Sequence, residues 1–118
     1  MKKVVVDTNI LISSTRTPNG NPSKVMNLIS DKKIQLFYCP AILDEYKRVL
    51  AYERLNIAPQ TQINTIKAIE RLGKLITPPP SAIPLPDETD RTFYDTAKEA
   101  GAVLITGNIS ISPQNRLL

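Results

Sequence analysis

The sequence predicts an α/β domain built on a parallel sheet, and three observations carry that expectation. Residues 3–7 and 102–106 are apolar, β-branched-rich runs without polar alternation, which read as strands buried on both faces. Segments of helical character separate the strand-like runs along the chain. The length, 118 residues, suits one domain with one core and not two.

Taken in order, the first strand covers residues 3–7 and ends on Asp7. Residues 8–13 are apolar on one side and turn into a helix. Pro18, Gly20 and Pro22 mark a loop over 17–22. Ser23 is expected to cap a helix through Ile29, with Val25, Leu28 and Ile29 inward. A second strand occupies 34–38. Pro40 suits the first turn of a helix that runs to about Leu55. The next helix starts near Pro59, repeats Ile63, Ile66, Ile69 and Leu72 every third residue, and stops at Gly73. Leu75 and Ile76 form a weak third strand. Pro78, Pro79, Pro80, Pro84 and Pro86, from a chain with ten prolines, then make a stiff extended connector. A rigid loop on the domain edge is the simpler reading of it than a ligand for Pro-binding modules. Asp87 or Thr89 caps a helix that ends at Gly101, and residues 102–106 form a buried strand before Gly107 and Asn108.

Composition removes much chemistry. There is no histidine and one cysteine, Cys39, so Ser-His-Asp triads, Cys-His pairs, HExxH zinc sites, internal disulfides and Cys-rich zinc sites are excluded. No P-loop or dinucleotide-binding glycine pattern appears. What remains for catalysis is 11 carboxylates, 15 Lys/Arg and some hydroxyls. The net charge of +4 tilts the chain mildly toward anionic partners such as nucleic acid. No apolar run approaches a membrane span, and Asp7 ends the N-terminal apolar run too early for a signal peptide. A cytoplasmic protein is expected.

In an open parallel sheet, ligands sit beyond the carboxyl ends of the strands. Asp7 follows the first strand there, and Asn108 the last. The competing reading of Asp7 is a helix N-cap. On the helix from Pro40, a helical wheel puts Ile42, Leu43, Tyr46, Val49 and Leu50 on one apolar arc. Glu45 lies at its margin and Asp44 nearly opposite, toward solvent. Glu45 can therefore project along the sheet's edge; alternatively it pairs with a nearby Lys or Arg. On the helix after Thr89, Phe93, Tyr94, Ala97 and Ala100 form the buried face. Asp90 falls inside that face, as a cap favoured by the helix dipole or as a ligand, and Asp95 and Glu99 point outward. If Asp7, Glu45 and Asp90 converge, their mutual repulsion calls for a cation. All-oxygen ligation selects a hard ion, Mg²⁺ or Mn²⁺, which suits phosphodiester hydrolysis. Tyr38, Tyr46, Tyr52 and Tyr94 read as core or rim packing rather than as a base-stacking platform.

The chain resembles a PIN domain (PilT N-terminus), particularly the subgroup of toxin components of toxin–antitoxin pairs. The resemblance rests on four segments in order. They are the opening strand with Asp7-Thr8-Asn9, then Ile42-Leu43-Asp44-Glu45-Tyr46, then the stretch from Asp87 to Ala97 that contains Asp90, and the close from Ala100 to Asn108. It implies a three-layer α/β/α sandwich around a central parallel sheet. The implied activity is Mg²⁺- or Mn²⁺-dependent nuclease action on single-stranded RNA. Asp7, Glu45 and Asp90 would hold the metal, and Thr106 or Asn108 would assist. A partner antitoxin and a homodimer are implied as well. Two departures stand out. Asn108 occupies a position where many PIN domains carry a fourth acid, so a second metal would bind more weakly. Such domains also continue with a further strand and a final helix, whereas ten residues follow Asn108 here. The expectation is a single PIN-like domain over 1–118 with a shortened C-terminal part, lacking that strand and helix.

The first functional reading is therefore a metal-dependent endoribonuclease. The second is a catalytically impaired nucleic-acid-binding or assembly protein on a truncated PIN fold. A phosphoaspartyl phosphatase would want a second acid two residues after Asp7, where Asn9 stands.

Overall fold

The computed structural model describes residues 1–79, 88–106 and 109–111, with 88–90 and 109–111 described by their backbone. The chain runs β1 (Lys2–Val6), α1 (Thr8–Arg16), α2 (Asn21–Ser30), β2 (Ile34–Tyr38), α3 (Pro40–Leu50), α4 (Pro59–Leu72), β3 (Lys74–Leu75), α5 (Glu88–Ala100), β4 (Val103–Thr106) and β5 (Ile109–Ile111). A single 3-10 turn at Glu53–Leu55 lies between α3 and α4.

The sheet order is β3-β2-β1-β4-β5. The first four strands are parallel, and β5 adds antiparallel to β4, Thr106 facing Ile109. From β1 the chain steps outward to β2 and β3, then returns through α5 to β4 on the other side of β1. The connecting helices cover the sheet as a three-layer α/β/α sandwich, with α3 and α5 meeting where Tyr46 faces Phe93. The switch of direction falls between β1 and β4, where open α/β sheets place their ligands.

The core follows from the sequence. Val4, Val5 and Val6 are at most 2% exposed, as a central parallel strand covered on both faces requires. Leu36 and Phe37 continue the core from β2, Ile42, Tyr46 and Leu50 from α3, and Phe93, Ala97 and Ala100 from α5. Tyr46 is wholly buried, its ring 6.3 Å from that of Phe93, and its hydroxyl donates to the Val6 carbonyl. That bond ties α3 to the carboxyl end of β1.

Several expectations are corrected. Helix α2 starts before Ser23, with Gly20 as N-cap and Pro22 in the first turn. Ser23 is buried and donates instead to the carbonyls of Thr17 (2.6 Å) and Ser14 (3.1 Å), pinning α2 to the end of α1. Leu28 is exposed rather than inward. Helix α3 ends at Leu50, not near Leu55, because Tyr52 adopts extended backbone and Asn56 takes a left-handed turn at φ 50°. Along the isoleucine repeat of α4, Ile69 is buried while Ile63 is 48% exposed. Steps of three residues turn about 300°, so such a row walks around the helix. Strand β4 is half-buried along its length rather than fully buried, as befits a strand next to a three-residue edge strand. Asp95 is buried, not outward. A second surface of α5 is covered where Cys39, Pro40, Thr77 and Pro78 line a cavity with Asp95. The wheel assumed one covered face. Pro80, Pro84, Pro86 and the capping candidate Asp87 lie outside the described residues.

Gly73 ends α4 against β2. A Cβ there would stand 2.8 Å from the Ile69 carbonyl oxygen and 2.8 Å from Tyr38 ring carbons. Gly73→Ala is therefore expected to cost about 1–3 kcal/mol through overpacking. The check is a lower denaturant midpoint with an unchanged slope.

Candidate active site

Asp7 is placed by the end of β1. Its N–H donates to the Ile105 carbonyl at 3.1 Å, continuing the β1–β4 ladder one step past Val6↔Ile105. Its Oδ1 accepts from the Ile10 N–H at 2.9 Å, so Asp7 is the N-cap of α1. The capping reading is thus correct, and it fixes the carboxylate at the strand end rather than removing it from the site. Thr106, at the end of β4, stands beside it across the same switch point.

Glu45 comes from α3, in the turn that also carries Tyr46. Its side chain is 15% exposed, while the preceding Asp44 is exposed, as the wheel predicts. Its Oε2 accepts from the Thr8 hydroxyl, and its Oε1 meets Arg48 Nη2 at 3.5 Å. The pairing with a neighbouring arginine is therefore present too.

Asp7, Glu45 and Thr106 line one open cavity of about 300 Å³ at the carboxyl ends of β1 and β4. Tyr46 reports the same convergence. Its phenol is pushed far above its ordinary value, first by burial and then by the negative charges of Asp7 and Glu45. Asp90 lies in the first turn of α5, but its side chain, and all of Asn108, lie outside the described residues. Among the described residues no group of three acidic, histidine or cysteine side chains could hold a metal ion.

Thr8, Arg48, Tyr52 and Arg54 also line the cavity, and the sequence did not assign them to the site. Arg48 was legible in principle, since a residue three positions after Glu45 shares its helix face. Tyr52 and Arg54 were not, because the end of α3 was placed beyond them. Among the described residues the cavity offers two carboxylates, the hydroxyls of Thr8 and Thr106 and the amide oxygen of Asn9, with no histidine or cysteine beside them. This donor set fits a hard divalent ion, which keeps several waters and needs only one or two carboxylates.

Comparison with known proteins identifies the family of the chain. A family model described as PIN domain matches residues 3–110. An uncharacterized protein of Methanocaldococcus jannaschii is 34% identical over 122 residues, covering 98% of this chain and 79% of the relative. The match spans both β1 with Asp7 and β4 with Thr106, the strands that flank the cavity. The chain belongs to the PIN domain family, a family of nucleases.

Proposed function

We propose that this protein is a Mg²⁺- or Mn²⁺-dependent endoribonuclease that hydrolyses phosphodiester bonds of single-stranded RNA. The observation that carries the reading is the meeting of Asp7 and Glu45, from separate elements, in one cavity at the switch point of the sheet. Asp7, Glu45 and Asp90 would hold the ion, and Thr106 and Asn108 would assist. A divalent ion bound there supplies Lewis acidity and neutralises charge on the phosphate.

The chain's own residues do the rest. The α1 cap fixes one oxygen of Asp7, and the Thr8 hydroxyl fixes one oxygen of Glu45. Both carboxylates are thereby oriented before any substrate arrives, which lowers the reorganisation needed at the reacting centre. Arg48 offsets part of their negative charge and leaves the cavity approachable by a polyanion. In the cell the reading extends to a cytoplasmic toxin restrained by an antitoxin, acting as a homodimer. No helix among the described residues is long and apolar enough to cross a membrane.

The test is a metal titration against a generic single-stranded RNA. Cleavage is expected with Mn²⁺ or Mg²⁺ and is expected to vanish with EDTA. Cleavage that survives EDTA overturns the metal assignment. Salt-dependent RNA binding without turnover at any metal concentration supports the second reading, a nucleic-acid-binding protein without catalysis.

A further inference from the structure

Beside the two carboxylates, the cavity has a second wall built from Arg48, Tyr52 and Arg54. Arg48 reaches from α3 with its Nη2 on Glu45 and its Nη1 donating to the Tyr52 hydroxyl at 2.7 Å. The guanidinium of Arg54 lies over the Tyr52 ring, 5.1 Å from its centre. All three line the same cavity as Asp7 and Glu45. Arg48 and Arg54 are exposed and Tyr52 is half-buried. The backbone explains the arrangement. Helix α3 stops at Leu50, the chain extends at Tyr52, and the 3-10 turn brings Arg54 back over the ring. Without that early stop, Tyr52 and Arg54 would lie on different sides of a longer helix.

We infer that Arg48, Tyr52 and Arg54 form a binding shelf for the nucleotide next to the phosphodiester that is cut. The inference rests on the proposed nuclease reading and adds to it a strand-binding surface. An aromatic ring with a guanidinium over it is a stacking platform for an unpaired base, and every base has a face to offer it. The two arginines supply paired N–H donors for phosphate oxygens. The hydroxyl of Tyr52 orients Arg48 toward the cavity. The shelf favours single strands because a base held in a duplex stack cannot lie on Tyr52. It prefers no sequence, since stacking and phosphate contacts read no base edge.

The test measures binding separately from cleavage. The full chain in EDTA is titrated into a fluorescein-labelled phosphorothioate uridine dodecamer, with a duplex of the same length as comparison, and anisotropy is read. Tyr52→Ala is expected to weaken single-strand binding about tenfold. Tyr52→Phe, which keeps the ring, is expected to stay within about threefold of wild type, since it loses only the solvent-exposed bond from Arg48. Arg54→Gln is expected to lower the slope of log affinity against log salt by about 0.7, one phosphate contact on a single strand. Duplex binding is expected to be insensitive to Tyr52→Ala.

Unchanged single-strand binding by Tyr52→Ala overturns the shelf. So does an equal loss for Tyr52→Phe, or an equal loss of duplex binding. Melting curves of each variant show whether a loss comes from unfolding; if Tyr52→Ala melts early, Tyr52→Phe and the Arg54→Gln slope decide. EDTA-resistant cleavage of ordinary RNA would instead sink the metal-dependent reading and leave these binding results standing.

Discussion

Asp7→Asn is expected to reduce RNA cleavage by roughly 10²-fold or more, the scale on which a pre-oriented charged or polar group acts at a reacting centre. The substitution separates two roles of one residue. Asn caps a helix about as well as Asp, and its side-chain oxygen can keep the bond from the Ile10 N–H. What it removes is the charge at the end of β1. A melting temperature within a few degrees of wild type, together with lost cleavage, is therefore the expected pair of results. Asp7→Ala provides the contrast, because it removes cap and charge together and should cost about 1 kcal/mol of stability besides. Cleavage retained by Asp7→Asn would sink the site assignment.

The largest effect on stability is expected at Tyr46. Tyr46→Ala empties a wholly buried site beside Phe93 and should cost about 3–5 kcal/mol. That is a large share of the 5–15 kcal/mol that a domain of this kind holds in total. Tyr46→Phe keeps the ring and loses the bond to the Val6 carbonyl, for about 1 kcal/mol. The same pair of variants has a pH signature. Burial holds the Tyr46 phenol neutral in the folded state beyond its ordinary value of 10.0. Below pH 10 both states keep the proton and this group contributes no pH dependence. Above it the unfolded chain loses the proton and the folded chain does not, so its contribution falls by about 1.4 kcal/mol per pH unit. Denaturation of wild type and Tyr46→Phe at pH 9 and pH 11 should show the stability gap narrowing at the higher pH.

Much of the sheet was legible because its strands are continuous apolar runs. Val4 to Val6 and residues 34–38 admit one reading, and Pro40 and Pro59 mark helix starts that the structure keeps. The side of α3 was legible as well, since a single wheel separates Glu45 from Asp44 and both fall where the period puts them. What escaped the sequence depended on what covers a helix from outside. Asp95 reads as solvent-facing, yet it is buried beside a cavity that Cys39, Pro40, Thr77 and Pro78 also line. The early end of α3 depends on the extended backbone at Tyr52 and the left-handed Asn56, and no proline or glycine marks either. Thr8 reads as part of a turn, yet its hydroxyl is what holds Glu45. Its neighbour in the chain is legible only one strand at a time, whereas its partner lies on another helix.

The pairing of β1 with β4 carries a consequence for synthesis. Val6 registers with Ile105, 99 residues later in the chain, so the central strand waits for the whole intervening sequence before its second neighbour exists. Contacts of such separation make folding slow. A chain emerging from the ribosome presents Asp7 and Glu45 before Thr106, and the wall bearing Thr106 closes the cavity only once β4 has been made. For an enzyme proposed to cut RNA, that order means the site is complete only after β1 has paired with β4.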